Sequence, residues 1–411
     1  KAAVMRTSKG VLVLPMWQGK GAQYVPGQAS VSKLSMVIPQ IPGSMQAWEV
    51  LPGEVRGLRV ERVVGGTKVI IPEFGLTSSV VFTSDANLVV RFQEAARSRR
   101  QQAAQWTYDQ AAYSVEKVLK VEEELEQAGQ ILHDGAHLVS DARTRLESAQ
   151  KLWENRLFSE AYRESQRSQR PLRILMRGQW ERAVKDLDTP VASPYALSFY
   201  TLPKHWEFMH LIKSSSAGQN ALVGGDFEAV PGNPQDAWRI EEPTLDEVEM
   251  ILIRTTEVQG PLEVKAGGVP SAIEQPKEGK QCALLQIRPK NRQAAPLVLE
   301  RSLLALTSPP VKLAPGSLVR ISAWVRIPVA ITASSDGALF YDSAAGEPLA
   351  VRLSDATGWK KYTLYRKVPE SGQISVTLAL TGLGSVYFDD VRIEPLTPGT
   401  SVPGNLVSNP K

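Results

Sequence analysis

The feature that most constrains this chain is an abrupt change of pattern near Phe92. From there to about Leu187 glycine and proline become rare, Gln, Glu, Arg and Ala dominate, and apolar residues recur at spacings of three and four. Ala111, Val115, Val118, Val121, Leu125, Ala128 and Leu132 fall on one stripe. That stripe predicts a helix over about 92–132, roughly 60 Å long at 1.5 Å per residue. Asp134-Gly135 reads as its C-cap and turn. A second helix follows, with Val139, Ala142, Leu146, Ala149 and Trp153 on one face. Ser159 is placed to cap a third, with Ala161, Ser165, Ser168, Leu172 and Leu175 inward and Pro171 as a kink. Stripes as narrow as a heptad's a and d positions predict antiparallel packing, as a long helical hairpin or a three-helix bundle. Two roles remain open for it. One is a rigid spacer with a solvated charged surface; the other is an oligomerisation or partner-binding arm, since Trp106, Tyr113 and Trp153 are large for a thin seam.

Both flanks read as β structure. Residues 1–91 hold short runs such as Val11–Leu14, Ser35–Ile38, Val69–Ile71 and Val80–Phe82, bounded by Gly19, Gly21, Pro39, Pro42-Gly43, Pro52-Gly53 and Gly65-Gly66. Short strands between turn signals predict an antiparallel β-sandwich or a small barrel, of which the sandwich is the expected form. Residues 188–220 form a connector whose Phe199, Tyr200, Trp206 and Phe208 are too aromatic for a free linker, so it packs back onto a domain; Ser214 to Gly218 is the expected hinge. From 221 to 396 the strand pattern returns, as in Val319–Val325 and Ile374–Leu378, and residues 397–411 read as a tail. The expected class is multidomain β plus α.

Composition narrows the function by exclusion. A net charge of +4 over 411 residues, with no basic run interleaved with aromatics, does not suit nucleic acid. No apolar stretch reaches the roughly 20 residues of a membrane helix. Cys282 is the single cysteine, which excludes an intrachain disulfide or a multi-cysteine zinc site and reads as a small buried hydrophobe. His133 and His137 stand four apart, but Gly135 between them indicates a turn rather than a metal-binding helical face. Glu49, Glu54 and Glu73 offer no spacing that singles out a catalytic pair and read as surface charges. Phosphate-loop, dinucleotide and serine-elbow signatures are absent. The chain opens on Lys1 directly into a strand pattern, from which we expect a processed chain or the C-terminal portion of a longer exported one.

Three separated phrases carry the most information. They are Gly224-Gly225-Asp226-Phe227-Glu228; Glu278-Gly279-Lys280-Gln281-Cys282-Ala283-Leu284, followed by Leu313-Ala314-Pro315-Gly316 and the Trp324 strand; and Val386-Tyr387-Phe388-Asp389-Asp390-Val391. In order and spacing, over residues 221–396, they resemble carbohydrate-binding modules of the family-4/9 type, which are β-jelly rolls. The resemblance implies a structural calcium tying the first strand to the last, held by Asp226, Glu228, the Lys280 main chain and Asp389; calcium takes six to eight hard oxygens. It also implies glycan binding by aromatic stacking. Where such modules place a cleft tryptophan, this chain has Ala295-Pro296-Leu297-Val298-Leu299. Tyr341 and Phe340 are then the expected platform, with Trp238 a second, while Trp324 and Trp359 are expected in the core. The first ninety residues, through Leu12–Trp17, Gln46–Val50 and Pro72–Gly75, look like the β-sandwich that follows the catalytic barrel in bacterial glycoside-hydrolase-like proteins. Together these imply a non-catalytic accessory region of a secreted or cell-surface protein that binds a polysaccharide. The alternative is a structural or interaction subunit of an extracellular assembly.

Overall fold

The computed structural model describes residues 2–16, 31–75, 78–228, 237–241, 245–258, 275–299 and 304–399. It divides into two compact units, residues 1–185 with 198–203, and residues 186–197 with 204–411. Trp17 and the end of the tail lie outside the described residues.

The first unit opens with eight strands, β1 (Ala2–Thr7), β2 (Gly10–Pro15), β3 (Val31–Ile38), β4 (Gln46–Leu51), β5 (Glu54–Leu58), β6 (Val60–Val63), β7 (Gly66–Phe74) and β8 (Val80–Thr83). They form two antiparallel sheets, β1-β2-β8-β4-β5 and β3-β7-β6. Alternation explains the layering: Val11 and Val13, Val69 and Ile71, and Val80 and Phe82 all point into one buried core. Glu49, expected at the surface, is instead buried; Arg56 Nε reaches it at 2.6 Å and the Ser78 hydroxyl donates to it at 2.6 Å.

Helix α1 (Ala86–Gln127) begins at Asp85, whose side chain accepts from the Asn87 and Leu88 amides. It ends earlier than the stripe predicts. Ala128 closes the helix and Gly129 takes a φ of 74°, the left-handed turn that glycine makes at low cost. Gly135 starts α2 (Gly135–Glu154) rather than ending α1. Helix α3 (Phe158–Val184) carries Pro171 inside it and buries Ala161, Ser165, Ser168, Leu172 and Leu175 as the spacing predicts. The three helices pack on one another, with Ala142 and Ala149 of α2 fully buried.

In the second unit, α4 (Leu202–Lys213) buries Phe208, Met209 and Ile212 against Leu318 and Leu396, so the aromatic connector does pack back. Ser215–Ala217 is not a hinge: it is strand β9, paired with Leu396–Pro398. The rest is a jelly-roll-like sandwich. One sheet runs β10 (Arg239–Glu241), β13 (Leu304–Thr307), β20 (Val376–Leu380), β16 (Ala338–Asp342), β17 (Val351–Leu353). The other runs β11 (Val248–Thr255), β12 (Cys282–Pro289), β21 (Gly384–Pro398), β15 (Leu318–Ile327), β18 (Thr357–Lys367), and the short β14 (Val311–Lys312) and β19 (Gln373–Ile374) pair with each other. Leu304, Phe340, Leu378 and Leu380 face Leu285, Val325, Val386 and Phe388 across an interior in which each is fully buried. The fold is therefore multidomain β plus α.

Candidate functional site

The residues expected around calcium come from three separated segments, and their carboxylates accept backbone N–H groups in this structure. Glu228 Oε1 accepts the backbone amides of Lys280 at 2.5 Å and Gln281 at 2.7 Å, which holds its carboxyl below the usual range. Lys280 thus turns its N–H to this carboxylate. Asp389 Oδ2 accepts the Lys277 and Glu278 amides at 2.7 and 2.9 Å, and its Oδ1 accepts the Asp390 amide. Burial pushes the Asp389 carboxyl up to about 6 against the pull of these donors. Among the described residues, exposed Asp226 accepts the Glu228 amide alone, at 3.3 Å. Among the described residues no three acidic, histidine or cysteine side chains gather as a metal would require. Carboxylates that already accept backbone N–H groups leave fewer free oxygens for the six to eight that calcium takes. The tie between the domain's start and its last strand is made by the backbone instead. Val391 N–H donates to Gly225 O at 2.8 Å and Ala221 N–H to Ile393 O at 2.9 Å. Gly225 is required there, since a Cβ would sit 2.0 Å from Val391 O.

The three expected sugar platforms separate. Phe340 is fully buried in the sandwich interior and has no open face, which corrects its assignment. The half-buried Trp238 lies 5.3 Å from the Phe227 ring and donates its indole N–H to Gly224 O, so it anchors the opening loop. Tyr341 faces outward from its sheet and stays partly exposed.

Register places its neighbours. Across the outer face of its sheet run Arg239, Thr307, Thr377 and Tyr341 in one row, and Glu241, Ala305, Ala379, Leu339 and Arg352 in the next. Tyr341 packs on a buried layer of Ala305, Leu339, Ala350 and Ala379. Tyr341 stands opposite Thr377 in the strand register, and the Thr377 hydroxyl pairs with that of Thr307 at 3.0 Å. Arg352 Nε reaches Asp336 at 3.0 Å, and Arg239 meets Glu241 at 2.6 Å. An aromatic ring, two hydroxyls and fixed charges on one small-residue surface can stack on a sugar ring and hydrogen-bond its hydroxyls. Thr377 was visible in sequence as a strand residue; Arg352 and Thr307 carried no signal, because strand pairing brings them in.

Trp324 and Trp359, expected in the core, lie instead on the outer face of the other sheet, each half-buried. The Lys277 ammonium sits 4.5 Å from the Trp324 ring centre. Trp359 packs with Val258, Leu284, Tyr387 and Cys282. Cys282 is fully buried, and burial raises its thiol to about 12, as an inert small residue requires. His133 sits in a turn against Asp134, and His137 follows in the first turn of α2.

No family model matches the chain and no curated protein matches it. Solved structures with partial likeness include the bacteriophage CBA120 tailspike protein 4 enzymatically active domain, at 13% identity and TM-score 0.27 over 43% of this chain. The chain covers only 21% of that tailspike. TmCBM61, solved with β-1,4-galactotriose, is 15% identical with TM-score 0.26, over 43% of this chain and 98% of that one. The K3 adhesin domain of Lys-gingipain from Porphyromonas gingivalis is 15% identical with TM-score 0.24, over 44% and 98%. Likeness this slight carries no function across.

Proposed function

We propose that this chain is a non-catalytic, glycan-binding accessory region of an exported glycoside-hydrolase-like protein, with the Tyr341 face of the jelly roll as its sugar site. The observation that carries this is Tyr341 itself, an aromatic ring standing partly exposed on one face beside the Thr307–Thr377 hydroxyl pair and the Arg352 guanidinium. The carboxylates of Asp336 and Glu241 on or beside that face are held by arginines, which suits recognition rather than acid–base exchange. The exported, hydrolase-linked setting rests on the sequence resemblance of both β domains. One platform and a few hydrogen bonds give an affinity of roughly micromolar to millimolar.

Calorimetric titration of the whole chain with a panel of soluble oligosaccharides tests the reading. At least one should bind, and Tyr341→Ala should weaken it by about tenfold or more. Binding that is equal in the variant would move the site elsewhere; no binding by the wild type would remove the function.

A further inference from the structure

The β-sandwich and the three helices of the first unit line a cleft of about 810 Å³, within the size range of small-molecule sites. Its walls are dominated by arginine. Four of these are matched to carboxylates: Arg56 to Glu49 at 2.6 Å, Arg145 to Asp141 at 2.8 Å, Arg163 to Glu54 at 3.4 Å, and Arg167 to Glu73 at 3.0 Å and Glu164 at 2.7 Å. Three others, Arg99 from α1 and Arg170 and Arg173 from α3, line the same cleft without a carboxylate partner among the described residues. The sequence at 17–30 and 76–77 contains no Asp or Glu that would supply one.

Arg173 is the most telling of the three. It is half-buried, burial lowers its pKa, and among the described residues it forms no ion pair. Its one described bond is Nη2 to Gln169 Oε1 at 3.3 Å, and its guanidinium lies over Gly75, where a Cβ would stand 2.8 Å from Nη1. Arg170 donates to the neutral Ser32 hydroxyl. A half-buried guanidinium without a counter-charge is costly, and the planar fork it presents matches a carboxylate. At the rim Trp106 is 65% exposed, with Gln102 and Gln110 one turn away on either side along α1. An exposed indole between amides suits a sugar ring and its hydroxyls.

We infer that this cleft binds an acidic oligosaccharide, its carboxylates taken by Arg99, Arg170 and Arg173 and a ring face taken by Trp106. This site is separate from the Tyr341 face and does not rest on that reading.

The test is titration of the whole chain with a defined oligogalacturonide, its neutral galactose counterpart, and inorganic sulfate, at two salt concentrations. The acidic oligomer should bind, more weakly in high salt, while the neutral sugar and sulfate should not compete with it. Arg173→Gln should weaken binding by about ten- to a hundredfold. Trp106→Ala, at an exposed position that leaves the fold intact, should weaken it as well, and Tyr341→Ala should leave it unchanged. The inference is overturned if the uronate does not bind, if Trp106→Ala and Arg173→Gln both bind it like wild type, or if sulfate displaces it fully, which would make the site one for small inorganic anions.

Discussion

Arg366 and Asp342 meet inside the jelly roll, where their side chains are 2% and 0% exposed and their charged atoms lie 2.7 Å apart. Asp342 also accepts the Ala344 and Ala345 amides at 2.9 Å, and Arg366 Nη1 donates to Ala192 O at 3.1 Å. Burial lowers the Arg366 pKa and the aspartate opposes that. Removing either partner strands the other charge in a dry interior, so Arg366→Met and Asp342→Ala should each cost about 3–5 kcal/mol, and the double variant less than the sum. Urea unfolding measures this, and single losses below about 1 kcal/mol would show that the pair is solvated. This pair also explains what was illegible at Tyr341. In the run Leu339-Phe340-Tyr341 every residue is apolar or aromatic, so alternation fixes two faces without saying which is inside. The parity is decided by Asp342, a charged residue that goes inward because Arg366, 24 positions later, is there to meet it.

Among elements, the helices were the most legible, because a buried stripe at helical spacing survives whatever it packs against. Their ends were less so: Gly129 and Gly135 are both credible terminators, and only the backbone conformation assigns the left-handed turn to Gly129. The stripe also hid a polar contact. Glu122 of α1, 4% exposed, accepts Gln179 Nε2 of α3 at 2.9 and 3.1 Å, while Gln179 Oε1 is buried without a partner among the described residues. Burial raises the Glu122 pKa. A carboxyl whose folded pKa lies above its unfolded value favours folding when protonated, so its contribution declines as pH rises from 4.5 through the folded value. Glu122→Gln should therefore stabilise the protein at neutral pH by about 0.5–1.5 kcal/mol, partly by giving Gln179 Oε1 a donor, and the gain should vanish in acid. Denaturant midpoints at pH 4 and pH 7 check this; a gain equal at both would contradict it. In the jelly roll, the loop phrases fall where the domain's start meets its last strand, and Asp and Glu in a turn serve a cation or a row of amides equally well in sequence. Excess chelator should leave the melting temperature unchanged, and Gly225→Ala should cost about 1–3 kcal/mol by forcing a Cβ onto Val391 O. A chelator-induced fall in melting temperature would restore calcium to the site.

At the scale of the whole molecule, the two-unit division gives these substitutions separate readouts. By calorimetry, Glu122→Gln should shift the transition of the first unit and Arg366→Met that of the second; movement of a single shared transition by both would show that the units unfold together. The β–α–β order was legible because each boundary is a change of period. The face proposed for sugar was not, because it is assembled from β10, β13, β16, β17 and β20, whose adjacency is a property of the sheet rather than of any segment. The central claim is that this face holds a glycan. Affinity electrophoresis of the wild type, Tyr341→Ala and Trp106→Ala in gels cast with neutral polysaccharides tests it most directly. The wild type should be retarded in at least one gel, an effect kept by Trp106→Ala and lost by Tyr341→Ala. Free migration of the wild type in every gel, or equal retardation of all three proteins, would contradict it.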